Sequence, residues 1–250
     1  MQQFDFVPDG NQVLVIDEAQ QSKTLYGFLM QLHREWQNVP VILSGSVMGA
    51  FFKRKQNKKV VSPAGRIHRL VCRPFSFYEY LELIGEGKIL KEILFFDSQT
   101  EISELMHDQL MKQYYQYMAV GGFPEAILKK DDVTSCYEYL KTLLSFFRQD
   151  ADRYLTEITE SPKHQYGTLL FNVMKSIARL SGSPSTRSSI LSTDSSAYRT
   201  VLPAMLDAME EWHFLFKLPT KMKTLTTKQG TSSKKYLWDV GVVNHLINLG

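Results

Sequence analysis

Two adjacent carboxylates and one hydroxyl stand directly after apolar runs, and together they could do chemistry. Asp17 and Glu18 follow the run Val13–Ile16, and Ser44 follows the run Val39–Leu43. An aspartate at a strand end can hold Mg²⁺, usually through water, and a neighbouring glutamate can orient or deprotonate an attacking water. The alternative is an apolar strand capped by two solvated acids.

The segments that must position these residues form a predicted βαβ unit. The run Val13–Ile16 is apolar and rich in β-branched residues, which predicts a strand buried on both faces. The intervening segment, 23–37, has apolar residues at helical spacing: Leu25, Phe28, Leu29, Leu32 and Trp36. Parallel strands end at the same edge of a sheet, so Asp17 and Glu18 should face Ser44 across about one strand spacing, ~4.8 Å. Open α/β sheets hold their ligands at that edge.

Several motifs extend this pattern over nearly the whole chain. The sequence VLVIDEAQ followed by PVILSGS resembles the Walker B and sensor-1 strands of a P-loop ATPase of the AAA+/STAND type. Four later stretches resemble, in the same order, a prokaryotic and archaeal group of these ATPases: 64–66, 73–80, 121–126 and 235–241. Members of that group carry a winged helix, often followed by a nuclease-like domain.

The resemblance implies ATP and Mg²⁺ as ligands. It assigns Asp17 to the metal, Glu18 to the positioning of water and Ser44 to sensing the γ-phosphate. It makes Arg66 a candidate arginine finger, a residue that contacts the γ-phosphate of a nucleotide, sometimes one held by a neighbouring ATPase subunit. Arginine suits this role because its guanidinium donates two hydrogen bonds to phosphate and stays charged. Asp239 is expected to be structural, since the nuclease acids of the group lie further along the chain.

The phosphate-binding loop of this class is not found in the sequence. Its pattern, GxxxxGK[ST], supplies the backbone N–H groups and the lysine that cradle phosphates. The nearest stretch, Gly45–Ala50, lacks the ending with lysine and serine or threonine. We therefore expect a fragment of an ATPase that does not hydrolyse ATP alone. A non-catalytic winged-helix module that binds DNA or protein is the alternative.

The predicted fold class is a partial P-loop α/β core with parallel strands in 1–75, followed by a helical lid in 76–160 and a winged helix in 161–250. The stretch Ile67–Val71 is predicted as a further core strand, and Val47–Phe52 as a short helix. Capping boxes predict helix starts at Ser76 and Ser135, because each is followed three residues later by glutamate.

Other local signals fix the remaining elements. Gly85 and Gly87 are expected to end the first lid helix, and a helix is predicted over 103–120. Its predicted inward face comprises Leu105, Leu110, Met111, Tyr114, Tyr117 and Met118. Two strands, 212–218 and 235–238, are predicted to flank a polar loop, and 181–185 is predicted as a loop. A third helix of the winged helix, with Asp194 as its cap and running through Met209, is predicted to be the recognition helix. Pro203 lies within it, where an interior proline would cost about 3 kcal/mol.

Charge is balanced overall but uneven along the chain. The formal net charge is +3, which alone does not indicate a nucleic-acid partner. Between Glu211 and Asp239 there are six lysines and no acid. Lys217, Lys221, Lys223 and Lys228 of this stretch are candidate contacts to DNA phosphates; a solvated loop is the alternative. The run 53–59 has five basic residues in seven, usually a solvated loop and otherwise a phosphate contact.

Composition indicates a protein of the cytoplasm. Cys72 and Cys136 form neither a metal-binding spacing nor a disulfide framework, which fits a reducing compartment. No apolar run approaches the ~18 residues that a membrane-spanning helix needs. The first residues lack the basic and apolar layout of a secretory signal.

Overall fold

A computed structural model describes residues 11–22, 25, 28, 31, 34–45, 68–97, 101–159, 165–191, 200–219 and 233–248. The chain divides into two compact units, Met1–Val71 and Cys72–Gly250. The predicted lid and the predicted winged helix thus share the second unit. Among the described residues, no helix is both long and apolar enough to cross a membrane. The helix predicted for 47–52 lies outside the described residues.

The first unit contains a parallel pair of short strands. Strand β1, Leu14–Ile16, pairs with β2, Val41–Leu43, so that Ile16 lies opposite Leu43. Of the positions described within the connecting segment, 25, 28, 31, 34 and 35 are helical, whereas 36 and 37 are not. Ser22 accepts a hydrogen bond from the backbone N–H of Leu25, 3.2 Å away, as expected near a helix start. The predicted strand–helix–strand order and the parallel pairing are confirmed.

Two predictions for this unit are wrong. The strands are not buried on both faces, because Val15 is 62% exposed and Ile42 55% exposed. Only one face of the two-stranded sheet is covered in the described part of the chain. The predicted core strand Ile67–Val71 is also not formed at 68–71, where the backbone has no regular structure. Leu70 is 91% exposed, so it does not contribute to a core.

The second unit begins with three helices. Helix α1, Phe77–Leu83, has the predicted capping box: Ser76 accepts from the Glu79 backbone N–H, and the Glu79 carboxylate accepts from Ser76. Gly85, with φ +80°, follows its end. The prediction that Gly87 helps to end α1 is wrong. Gly87 is instead the first residue of helix α2, Gly87–Leu94. A glycine is tolerated there because its entropic cost is greatest in the middle of a helix and not at its first residue.

Helix α3, Glu104–Val120, follows Ser103, whose hydroxyl accepts from the backbone N–H of Met106. The predicted helix is confirmed, but two of its predicted inward residues are wrong: Leu105 is 70% exposed and Tyr114 40% exposed. The apolar spacing overestimates the width of the buried face. Tyr114 still packs edge-on against Phe77, with ring centroids 5.5 Å apart.

Two further helices continue this unit. Helix α4, Pro124–Leu128, begins with proline in its first turn, as predicted. The long helix α5 is Val133–Thr159, and the prediction that Ser135 caps it is wrong. Asp132 accepts from the backbone N–H groups of Thr134 and Ser135 and from the Ser135 hydroxyl. The aspartate precedes the serine along the chain, so the helix starts earlier and Ser135 lies in its first turn.

The remaining elements surround a small antiparallel sheet. In chain order they are α6 (Tyr166–Arg179), β3 (Pro184–Ser185), α7 (Arg187–Ile190), α8 (Leu202–Glu211), β4 (Leu215–Pro219), β5 (Ser233–Leu237) and α9 (Val240–Asn248). The sheet order is β3-β5-β4. The two predicted strands are confirmed with shifted bounds, since the first begins at Leu215 and the second at Ser233. The stretch 181–185, predicted as a loop, ends in β3. Strand β3 has only two residues, too few for a sequence pattern.

The start of α8 removes the difficulty with Pro203. The helix begins at Leu202, so Pro203 lies in its first turn and not in its interior. The predicted cap, Asp194, lies outside the described residues. A proline there loses no intrahelical hydrogen bond. Helices α5 and α6 pack so closely that a Cβ added at Gly167 would lie 2.5 Å from the Arg148 carbonyl oxygen. The core of the unit is formed by fully buried side chains: Leu140, Leu155, Tyr166, Leu170, Ile177, Leu202, Met205, Met209 and Leu215.

Candidate functional site

The parallel register brings Asp17 and Ser44 together, because each follows a residue of the last strand pair. The backbone N–H of Ser44 donates to Ile16 at 3.0 Å, and that of Ala19 donates to the Ser44 carbonyl at 2.9 Å. These bonds extend the ladder past the ends of both strands. Backbone pairing therefore brings the two side chains to the same edge of the sheet.

The Asp17 carboxylate is the centre of this small cluster. Its Oδ1 accepts a hydrogen bond from the Ser44 hydroxyl and another, 3.0 Å long, from the backbone N–H of Glu18. Asp17, Glu18 and Ser44 are all exposed. The site is thus open to water and to a solute, and the expected meeting of Asp17 with Ser44 is present.

Glu18 has an unusual backbone for its residue type. Its φ of 49° and ψ of 41° lie in the left-handed region, which non-glycine residues seldom adopt. Bonds on both sides hold this conformation: its N–H donates to Asp17, and its carbonyl accepts from Gln21 at 2.9 Å. Strained backbone of this kind is concentrated at functional sites.

The oxygen atoms of this cluster suit Mg²⁺. Carboxylate and hydroxyl oxygens are hard ligands, and Mg²⁺ is often bound by one or two carboxylates with water and substrate phosphates completing its shell. Among the described residues, no group of three or more His, Cys, Asp or Glu side chains could hold a metal ion. Asp17 and Glu18 are only two carboxylates, so a cation held there would need further ligands such as water or phosphate.

The remaining predicted site residues are divided by what the structure describes. Arg66, Lys221, Lys223, Lys228 and the basic run 53–59 lie outside the described residues. Lys217, on β4, donates to Asp207 at 3.2 Å and lies 2.7 Å from a Glu210 carboxylate oxygen. Both acids are on α8, so the charge of Lys217 is matched within the unit, which weakens its case as a phosphate contact.

Sequence reasoning missed a buried lysine on β5. Lys235 is 6% exposed, and its ammonium donates to the Ser185 carbonyl at 2.9 Å, the Ser185 hydroxyl at 3.2 Å and the Ser233 carbonyl at 3.3 Å. Burial lowers the pKa of Lys235, and nearby Lys217 and Arg187 act in the same direction. It joins β3 to β5, so this lysine of the basic stretch supports the sheet and does not reach solvent.

Asp239 holds the turn of the paired glycines. It is 5% exposed, and it accepts from the backbone N–H groups of Gly122 at 2.7 Å and Val242 at 2.8 Å. A Cβ at Gly121 would lie 2.4 Å from the Asp239 carboxylate. Burial raises the pKa of Asp239, and the hydrogen bonds from Gly122, Val242 and Gly241 oppose that rise. A glycine turn can bind phosphate through its backbone N–H groups. Here the N–H of Gly122 already donates to the Asp239 carboxylate, so it is not available to a phosphate.

Three of the quoted motifs meet around this turn. The backbone N–H of Phe75 donates to Gly122 at 2.7 Å, and the Tyr117 hydroxyl donates to the Phe75 carbonyl at 2.8 Å. Burial raises the pKa of Tyr117 to about 12, so the phenol keeps its proton. The Arg73 guanidinium lies 4.4 Å from the centre of a Trp238 ring. The motifs are far apart in sequence, so no local signal predicts their meeting.

Two protein families match this chain, one over its first part and the other over its last part. Residues 1–81 match a family described as an AAA domain, which supports an AAA-type P-loop ATPase-like domain. Residues 111–250, more than half of the chain, match a family described as a domain of unknown function, DUF8612. The chain belongs to the DUF8612 family. No curated protein and no solved structure matches it.

The DUF8612 match contains the Gly121–Gly122 turn, Asp239 and the whole antiparallel sheet. The Asp17–Ser44 cluster lies in the AAA match. The Arg73–Phe75 stretch, which contacts both the turn and Trp238, also lies within the AAA match although it belongs to the second compact unit. Residues of the AAA match and residues of the DUF8612 match are therefore in direct contact within the second unit.

Proposed function

We propose that the AAA-type region handles ATP with Mg²⁺ through Asp17, Glu18 and Ser44. The observation that carries the proposal is the hydrogen bond from the Ser44 hydroxyl to the Asp17 carboxylate, at the ends of two neighbouring parallel strands. This edge is the usual ligand position of an open α/β sheet. The AAA-domain match over residues 1–81, which include all three, supports nucleotide handling by this region.

Each of the three side chains has a distinct role in this proposal. Asp17 holds the cation, which when bound neutralises phosphate charge. The Ser44 hydroxyl, which now donates to Asp17, can instead donate to a phosphate oxygen, so it senses whether the terminal phosphate is present. Glu18, directly next along the chain and exposed, orients the attacking water and accepts its proton.

The chain alone is proposed not to hydrolyse ATP. The three residues contact only metal, water and the terminal phosphate, and the sequence has no GxxxxGK[ST] pattern to bind the remaining phosphates. Arg66 is proposed as the residue that reaches the γ-phosphate of a neighbouring ATPase subunit. That geometry would make assembly a requirement for turnover.

Weak cation binding can be tested residue by residue by NMR. Mn²⁺, a paramagnetic substitute for Mg²⁺, should first broaden the amide signals of residues 17–19, 44 and 45. Asp17→Asn should require at least about tenfold more Mn²⁺ for the same broadening, because it removes the charged ligand. Glu35→Gln, an exposed acid of the same unit, is the matched control and should change nothing. Broadening centred elsewhere, or unchanged in Asp17→Asn, would overturn the proposal.

Turnover is tested separately by phosphate release. A malachite-green assay on the purified chain with ATP and Mg²⁺ should remain at the level of the Glu18→Gln variant. Mg²⁺-dependent release that Glu18→Gln abolishes would contradict the proposed inactivity of the chain alone. It would leave the assignment of Glu18 intact, so the two results are distinguishable.

A second candidate function is sequence-independent binding of DNA by residues 165–248. The order helix, strand, helix, helix, strand, strand and the sheet order β3-β5-β4 support a winged helix. In that interpretation the connection between β4 and β5 is the wing, and it contains Lys221, Lys223 and Lys228 without an acid. Contacts from such lysines to phosphates give affinity that falls with salt.

Helix α8 is poorly suited to read bases. It has no basic residue, and its two exposed charged side chains, Asp207 and Glu210, are carboxylates paired with Lys217. Carboxylates on a helix would be repelled by the phosphates that flank the major groove. We therefore assign any DNA contact to the wing and not to α8.

A salt titration of duplex DNA binding tests this candidate. Replacing Lys221 and Lys223 with alanine should lower the slope of log affinity against log salt by about two, near one per phosphate contact. Lys217→Ala should leave the slope unchanged, since its charge is already matched. An unchanged slope in the double variant would exclude the wing.

A further inference from the structure

The first three helices of the second unit form an open groove whose walls are apolar. Helices α1, α2 and α3 and the residues next to them enclose about 320 Å³. The apolar lining is formed by Ile89, Ile93, Phe96, Ile102, Met106 and Leu110. This volume is at the lower end for a binding pocket and accommodates a few large apolar side chains.

Apolar surface continues past the groove into solvent. Leu94, Phe95 and Phe96 are consecutive, and they are 61%, 80% and 55% exposed. Leu105, at the start of α3, is 70% exposed. Three consecutive exposed apolar residues cost solubility, so they are expected only where a partner covers them. Met and aromatic side chains are also enriched at such contacts.

The same helices are strongly acidic. Residues 76–110 contain eight acids and two lysines, a formal charge of −6 in a chain whose total is +3. The rest of the chain therefore carries +9. Glu92 lines the groove itself, and Glu101 is next to the lining residue Ile102. An apolar floor with acidic surroundings complements a ligand that is both apolar and basic.

The shape of the region selects among peptide-binding modes. All regular structure described within 76–120 is helical, so an extended peptide would find no strand edge to extend. Grooves between helices instead accept one apolar face of an amphipathic helix. Such a helix could place two or three large side chains in the groove and its lysines or arginines beside the acids.

We propose that the groove between α1, α2 and α3 binds a basic, amphipathic helical segment of a partner protein. The inference is independent of nucleotide handling and of DNA binding, because it uses none of the residues assigned to either. It gives the acidic segment 76–110 of this otherwise basic chain a role in recognition.

Fluorescence anisotropy on the full chain tests the proposal with designed peptides. One labelled helical peptide carries leucines at i, i+4 and i+7 with lysines between them, and a second has glutamates in place of the lysines. The lysine peptide should bind at least about tenfold more tightly, and its affinity should fall between about 0.05 M and about 0.5 M NaCl. Equal binding of both peptides, or of neither, would overturn the proposal.

Two matched pairs of variants locate the contact. Phe96→Ser should weaken binding about tenfold or more, because it removes an anchor from the groove, whereas Phe95→Ser, at the adjacent position outside the lining, should weaken it less, because it removes only part of the apolar surface beside the groove. Glu92→Lys should weaken binding, and Glu104→Lys, with the same charge change outside the lining, should weaken it less. Equal effects within either pair would reject this groove as the site.

Sedimentation of the chain alone separates a partner from a second copy. The proposal expects no concentration-dependent association that Phe96→Ser removes. Association of that kind would identify another copy as the occupant and contradict the proposed partner. Circular dichroism of each variant, unchanged from the parent chain, ensures that lost binding does not reflect lost folding.

Discussion

Two aspartates at strand ends have opposite environments in this molecule. Asp17 directly follows β1 and is exposed, with one oxygen accepting from a hydroxyl and a backbone N–H. Asp239 follows β5 by two residues and is 5% exposed, with its oxygens turned to backbone N–H groups. Both accept backbone hydrogen bonds, so the difference between a site and a structural support lies in exposure.

The comparison explains why the sequence supports a ligand at one aspartate and not at the other. A cation can reach Asp17 without displacing any packed element. At Asp239 it would have to replace the hydrogen bonds that join α9 to the turn between α3 and α4. Losing them leaves buried N–H groups without acceptors, which costs about 1–3 kcal/mol for each group.

The largest predicted effect is on stability. Asp239→Asn should lower the free energy of unfolding by about 2–4 kcal/mol, because the amide turns an N–H₂ group toward backbone donors. Asp17→Asn should change it by less than about 0.5 kcal/mol, as expected for an exposed residue. Urea unfolding followed by tryptophan fluorescence measures both, since Trp36 lies in the first unit and Trp212 and Trp238 lie in the second. A larger loss in Asp17→Asn would reverse the comparison.

The elements that could be predicted from sequence depend on near neighbours. The capping box of Ser76 and Glu79, and the turn before Pro124, involve residues within four positions of each other. The pairing of β1 with β2 follows from two apolar runs and one short crossover. The same locality places Asp17 beside Ser44, so the candidate site was accessible to sequence reasoning.

The parts that could not be predicted depend on distant packing. Gly122 contacts Asp239 across 117 positions, and Lys235 reaches Ser185 across 50. Lys235 has the same residue type as the adjacent Lys234, which is only partly buried, so only the fold distinguishes the two. Where two local signals compete, as Asp132 and Ser135 do for the start of α5, sequence alone did not identify the one that caps the helix.

A buried histidine on α9 tests, through pH, how burial affects an ionisable side chain in the second unit, and its expected effect is smaller. His245 is 3% exposed, neither ring nitrogen has a hydrogen-bond partner in the described part of the chain, and its ring lies 5.1 Å from that of Tyr137. Burial lowers the pKa of His245; Glu138 opposes this shift and Lys141 adds to it. Histidine is therefore neutral in the folded state at a pH where the unfolded chain already binds a proton.

The sign of the effect follows from that difference. Because the unfolded state binds more protons, His245 makes stability fall as the pH drops below the unfolded pKa of about 6.5. The slope from this residue cannot exceed about 1.4 kcal/mol per pH unit. His245→Phe should therefore flatten the decline in unfolding free energy between about pH 7.5 and 5, measured by urea titration. A decline as steep as in the parent chain would show that other groups cause it.

The smallest predicted effect concerns the backbone of Glu18. Asparagine tolerates the left-handed conformation better than glutamate, so Glu18→Asn should relieve about 0.5–1 kcal/mol of local strain. Amide hydrogen exchange at Ala19 and Ser44, whose N–H groups bond across the strand ends, should slow about two- to fivefold. Glu35→Asn, an exposed change on the connecting helix, should not slow either amide. Faster exchange in Glu18→Asn would mean that the glutamate side chain itself holds the turn, and strain would no longer distinguish this exposed strand end from the packed one at Asp239.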